Sequence, residues 1–289
     1  MLAQPERCEV SAVAEKKPIL VPLDGSKIAE YALPSAGWYS RLTGSPIQFV
    51  HVLDEDTKPE SRVHAADTFK RYADELAARH GLGEVECQVL AGPAADSILG
   101  ISINAAAIVL ASHGRGGFRA MILGSVADKI VRGAVVPVLI EPGTSEPKGP
   151  QPGKPILVGL DGSEEAERGL AAARELAAKG GHPITLIRTY SVPPPVGIEF
   201  ATYPADFAST MEEAAKNYLA SVAKPGENVV VVMGDATNAI LETAEQIDAA
   251  LIVLTSSGKG LTRRLAIGST TDRVIHGTER PVLVIPRAG

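Results

Sequence analysis

The sequence predicts an α/β protein made of two tandem domains, each a doubly wound parallel sheet. Three observations carry that expectation. First, the chain repeats itself. Residues 18–26 read PILVPLDGS and residues 155–163 read PILVGLDGS, differing only at Pro22 and Gly159, at an offset of 137. A second pair, HGRGGFRAMILGSVADKIVRGAVVPVLI from His113 and SGKGLTRRLAIGSTTDRVIHGTERPVLVI from Ser257, follows in the same order at an offset of 144. That period is far too long for a solenoid repeat. Second, each half alternates short apolar runs with amphipathic stretches, the pattern of strand and crossover helix. Third, 289 residues at roughly 150 per domain give about two domains.

In the first half the runs at 19–23, 47–52, 85–90, 106–111 and 136–140 read as strands, bounded by Gly, Pro and Asp. Their near-continuous apolar character marks strands covered on both faces. Apolar spacings of three and four predict helices over 26–41, roughly 61–80, 94–103 and 124–133. The second half supplies ILVGL, ITLIRTY, NVVVVM, ALIVL and PVLVI in matching places. Between the halves, EPGTSEPKGPQPGKP has the Pro and Gly content of a linker. The expected organisation is an extended or disordered tail over 1–16, domains over 17–142 and 155–289, and a linker over 143–154.

A composition of 45% hydrophobic and 21% charged residues fits globular packing and argues against a solvated chain. A formal net charge of -6 leaves no basic surplus for a phosphate backbone, so neither nucleic acid nor a basic membrane-surface role is expected. No apolar run approaches the roughly 20 residues of a membrane span. Glu6, Arg7 and Glu9 interrupt any signal-peptide core, which makes the cytoplasm the expected location. Cys8 and Cys87 form neither a disulfide framework nor a metal-ligand spacing.

Doubly wound sheets bind ligands beyond the C-terminal ends of their strands. After the first strand of each half comes Asp-Gly-Ser, at Asp24 and Asp161. A local role suffices for this triplet: Asp and Gly turn the chain, and Ser26 or Ser163 caps the next helix. A carboxylate there can also accept from a ribose hydroxyl. After the fourth strand, nine residues separate Gly114 from Gly124 and, in the second half, Gly258 from Gly268. Ser125 and Ser269 then open a helix. Glycine lets backbone N–H groups approach an anion, and the helix start adds unsatisfied donors. A flexible turn before a Ser-capped helix explains either feature alone, but not the same spacing twice. His113 has Ser257 as its counterpart, so imidazole chemistry is not shared. Arg115 and Lys259 match in charge, although loop cations are usually solvated. The run Pro193-Pro194-Pro195 reads as a stiff loop or a lid.

No P-loop, dinucleotide Gly-x-Gly-x-x-Gly, Gly-x-Ser-x-Gly elbow or metal-ligand cluster is present. The sequence offers a pocket and no evident reaction.

The paired first-strand and late glycine segments together resemble the universal stress protein family, as a tandem pair covering nearly all of 17–286. The resemblance implies a Rossmann-like five-stranded core of order 3-2-1-4-5, and pairing of the two halves through their fifth strands. It implies a Gly-x-x-Gly-x9-Gly-Ser/Thr motif for nucleotide, with Ala111 and Thr255 standing where the motif has its first glycine. The implied nucleotide contacts in the first half are Asp24, Val52, Ala111, His113, Gly114, Arg115, Gly124, Ser125 and Val126. In the second they are Asp161, Thr189, Thr255, Ser257, Gly258, Lys259, Gly268, Ser269 and Thr270. Val52 and Thr189 would lie on the adenine side. Thr189 replaces an apolar contact and Thr255 is branched, so the first half is the better candidate.

The resulting expectation is a stress-response protein that binds ATP, ADP or AMP, with Mg2+ accompanying the phosphates, and acts through occupancy rather than turnover. A slow ATPase or self-phosphorylating activity is the most that is expected as enzyme chemistry. The competing reading is a nucleotide-independent interaction or chaperone-like module with degenerate sites. The chain would form an intramolecular pseudo-dimer, with homodimerisation and an unidentified protein partner left open.

Overall fold

The computed structural model describes residues 16–112, 123–143, 147, 149–192, 206–256 and 267–287. The first half runs β1 (Ile19–Pro22), a 3-10 turn (Ala29–Tyr31), α1 (Ala32–Thr43), β2 (Ile47–Leu53), α2 (Pro59–His80), β3 (Val85–Ala91), α3 (Ala94–Ser102), β4 (Ala107–Ala111), α4 (Ser125–Gly133) and β5 (Val138–Glu141). The second runs β6 (Ile156–Gly159), α5 (Glu164–Gly180), β7 (Ile184–Tyr190), α6 (Phe207–Val222), β8 (Asn228–Met233), α7 (Ala236–Gln246), β9 (Leu251–Thr255), α8 (Ser269–Gly277) and β10 (Val282–Ile285).

One of these elements departs from the sequence expectation. The helix expected over 26–41 begins as α-helix only at Ala32, after a 3-10 turn, and runs on to Thr43. Pro34 is the physical reason: a proline inside an α-helix removes a donor and clashes with the carbonyl four residues back, whereas in the first turn it does neither harm. Starting at Ala32 puts Pro34 in that turn. The second half has Ala171 at the corresponding position, and α5 starts at once behind Ser163, whose Oγ accepts from Ala166 N at 3.2 Å.

All ten strands form one sheet in the order β3-β2-β1-β4-β5-β10-β9-β6-β7-β8. Each half is parallel within itself, in the order 3-2-1-4-5. β5 and β10 join the halves in antiparallel register, Val282 against Ile140, Leu283 against Leu139 and Val284 against Val138. The two fifth strands thereby satisfy each other's edge hydrogen bonds, which would otherwise offer a template to another chain.

Alternation along the strands sorts the core into two layers that both cross the junction. One face gathers Val21, Leu139, Val158 and Leu283 under α1, α2, α5 and α6. The opposite face gathers Leu20, Ile140, Leu157 and Val282 under α3, α4, α7 and α8. Leu139 and Leu283 are fully buried, each worth roughly 1.5–3 kcal/mol of apolar burial.

Two side-chain contacts also cross between the halves. Trp38 Nε1 donates to His182 Nε2 at 3.2 Å, which leaves His182 Nδ1 to donate to Lys154 O at 2.9 Å. Arg132 of α4 bridges Asp128 of its own helix at 2.8 Å and Asp272 of α8 at 3.0 Å. Among the described residues, no helix is long and apolar enough to cross a membrane.

Candidate functional site

The Asp-Gly-Ser turns fold alike in both halves. Gly25 and Gly162 each sit at φ 78, a left-handed conformation that a side chain would strain. This geometry lets Asp24 Oδ1 accept from Ser26 N at 2.9 Å and Asp161 Oδ1 accept from Ser163 N at 2.9 Å. Asp161 Oδ1 also accepts from Ser163 Oγ at 2.5 Å. The local role of the triplet is therefore real. Ser163 caps α5, and Ser26 Oγ accepts from Ala29 N at 3.1 Å where the 3-10 turn begins.

The far ends of the glycine segments are also duplicated. Gly124 N donates to Ser112 O at 2.7 Å, and Gly268 N donates to Ser256 O at 2.6 Å. Each bond ties the start of a helix to the residue that follows the fourth strand of its half. Gly124 and Gly268 are the N-caps, both extended, and no side chain caps α4 or α8. Ser125 and Ser269 are thus the first helical residues and not caps, contrary to the Ser-capped alternative. The opening N–H groups of both helices keep the unsatisfied donors and positive dipole end that suit an anion.

In the second half these parts enclose a cavity of about 350 Å³. That volume lies within the range of small-molecule pockets. Asp161 and Leu160 line it from the end of β6, Arg188 and Thr189 from β7, Thr255 from β9, Ala236 and Ile240 from α7, and Gly268, Ser269 and Thr270 from the start of α8. Of the sequence-derived contacts in this half, Asp161, Thr189, Thr255, Gly268, Ser269 and Thr270 converge on one space. Ser257, Gly258 and Lys259 lie outside the described residues, as do His113, Gly114 and Arg115 in the first half and the run Pro193-Pro194-Pro195.

In the first half, Asp24 follows β1 and Ala111 ends β4, buried and paired with Glu141. Val52 lies near the end of β2, partly buried against the core layer under α3. Gly124 and Ser125 open α4, and Val126 is exposed beside them.

The branched Thr255 is accommodated by a neighbour. A Cβ built on Gly169 of α5 would stand 3.1 Å from the Thr255 methyl, so the glycine makes room for it. Thr255 O accepts from Thr271 Oγ1 at 2.8 Å, fastening β9 to α8. At the same offsets the first half carries Ala111 and Ala32.

Residues that motif reasoning missed sit behind the strand-one carboxylates. Tyr72 OH donates to Glu30 Oε1 at 2.9 Å, and Tyr218 OH donates to Glu167 Oε1 at 3.2 Å. Burial first, then the Glu167 carboxylate, pushes the Tyr218 phenol up to about 12. Glu30 and Glu167 share the offset of 137, which could have revealed them. The tyrosines do not, because the helices that carry them fall where the halves differ in length. His51 and Arg188 also match at 137. Among the described residues no group of three or more His, Cys, Asp or Glu could hold a metal ion.

Two five-stranded doubly wound units sharing one sheet, with a cavity at the strand ends of the second, define a tandem α/β protein. The chain belongs to the universal stress protein family, whose sequence pattern matches residues 16–142 and 153–286. A universal stress protein of Mycobacterium tuberculosis is 26% identical over 292 residues, covering 92% of this chain and 96% of its own. Among solved structures, a universal stress protein from Archaeoglobus fulgidus has a TM-score of 0.66 at 24% identity, covering 94% of this chain and 98% of its own. One from Pseudomonas aeruginosa, described as a putative universal stress protein, has a TM-score of 0.70 at 18% identity and covers 94% of each chain.

Proposed function

We propose that the chain binds an adenine nucleotide at its strand ends and acts through occupancy rather than turnover. The observation that carries this reading is the uncapped start of α8 facing a cavity whose opposite end is formed by the ends of β6 and β7. The N–H groups of Ser269 and Thr270 would meet phosphate oxygens, Asp161 a ribose hydroxyl, and the β7 end the base. The same parts occur at Gly124, Ser125, Asp24 and Val52. Val52 makes the first half the more apolar, adenine-suited crevice. Mg2+, when bound, would neutralise phosphate charge, with the chain supplying the cradle. Bound nucleotide would change what the surface offers a partner only by binding one state of the chain better than another.

Mass spectrometry of the denatured, purified protein should find retained adenine nucleotide. Calorimetric titration should give an ATP constant of about micromolar or tighter. Replacing both Gly114 and Gly258 by Val should weaken it by at least about 1.4 kcal/mol, one decade. An unchanged constant in that variant would remove the assigned loops from the site.

A further inference from the structure

With β5 and β10 paired to each other, the shared sheet keeps two outer edges, β3 and β8, and they are not alike. β3 carries the exposed Glu86, and its Cys87 and Val89 pack against the core layer under α2. A charge on an edge strand blunts further pairing. β8 has neither charge nor proline over its six residues, and its Val229 and Met233 are 52% and 63% exposed. An uncharged apolar edge is an open template. Gly234 N donates to Tyr190 O at 2.9 Å, so the even-numbered residues of β8 turn their backbone groups toward β7. Alternate residues of a strand hydrogen-bond to opposite sides, which leaves Val229, Val231 and Met233 turned to the open edge, where no strand among the described residues meets them. Their side chains share one face of the sheet, where Val231 packs on the same core layer as α6.

We propose that β8 pairs antiparallel with β8 of a second copy of this chain, about a two-fold axis through Val231, and so joins two ten-stranded sheets into one. The same patch then serves both subunits. This register sets Val231 against its own mate and Val229 against Met233 of the partner subunit. All three pairs are of the hydrogen-bonded kind, so the outward donors and acceptors of all three residues are used, and the two exposed side chains come side by side. The neighbouring registers are worse. An axis one residue earlier sets Met233 against Glu227, and one residue later sets Val229 against Asp235. The strand is therefore complementary to itself, which singles out a second copy over an unrelated strand. Helices would add to the contact. α6 lies over β7 and β8, so the two-fold lays it beside its mate, as α1 lies beside α5 across the β5–β10 junction.

Sedimentation equilibrium of the full chain over a range of concentrations should find a reversible dimer of twice the 30.1 kDa chain mass. Val229→Glu and Met233→Lys, both at exposed positions, should each weaken that dimer by about tenfold or more. Combined in one chain, the two substitutions set carboxylate against ammonium at both outer pairs and should return the constant to within roughly threefold of the parent. Within one chain the two positions stand ~13 Å apart along the strand, too far to pair with each other. Recovery in the double variant also shows that the single losses are not misfolding. Glu86→Lys, on the β3 edge, should leave the dimer unchanged. A chain that stays monomeric at every concentration, or single variants that dimerise as tightly as the parent, overturns the proposal. A double variant as weak as the singles overturns the register through Val231, and a dimer lost only on Glu86→Lys moves the interface to β3.

Discussion

Glu141 ends β5 at a position where the second half has Ile285, and its side chain is buried with the Ser35 hydroxyl donating to it. Burial dominates over that hydrogen bond and raises the carboxyl from 4.5 to about 7. The sign of the consequence follows from which state holds the proton. Below pH 4.5 both folded and unfolded chains are protonated at this site and it costs nothing. Between about 4.5 and 7 the unfolded chain gives up its proton first, so stability falls as pH rises, by up to about 3 kcal/mol, and stays lowered above 7. Glu141→Gln should flatten this window in denaturant titrations and stabilise the chain at pH 8. An unchanged slope would show that the carboxyl is not held protonated. Nothing in the sequence announced Glu141, because its burial depends on α1 lying across the end of β5. Arg188 was equally hidden: it reads as one polar residue in a strand, and the Tyr218 ring its guanidinium covers comes from a later helix.

At the scale of elements, similar sequence does different work at two helix starts. Ser163 caps α5, whereas Ser269 is the first residue of an uncapped α8. Ser163→Ala should therefore cost about 1 kcal/mol of stability. Ser269→Ala should stay within roughly 0.5 kcal/mol, since its hydroxyl caps nothing. Equal losses, measured by urea unfolding, would contradict the assignment of Gly268 as the cap. Strand positions were legible because apolar runs between Gly, Pro and Asp leave few alternatives, and because each half repeats the other. The start of α1 was less so. The spacing of apolar residues continues back to Ser26, and only the demand of Pro34 for a place in the first turn moves the helix to Ala32.

Across the whole molecule, duplication produces a single body: one sheet, two core layers running through the β5–β10 junction, and the Trp38–His182 bond tying α1 to the second half. The two halves nonetheless differ at the ends of β2 and β7, with His51 and Val52 in one and Arg188 and Thr189 in the other. The repeat made the architecture readable, and the family's pattern placed the strand-end residues. The differences between the crevices depend on what each side chain packs against, which no motif encodes. Central to the account is that the opening amides of α4 and α8 receive a nucleotide's phosphates. Amide hydrogen exchange on the full chain, with and without saturating ATP and Mg2+, reads those amides directly. Slowed exchange at Ser125 and Val126, at Ser269 and Thr270, or at both pairs is the predicted result; unchanged exchange at all four, with ATP bound and protecting other segments, would contradict it.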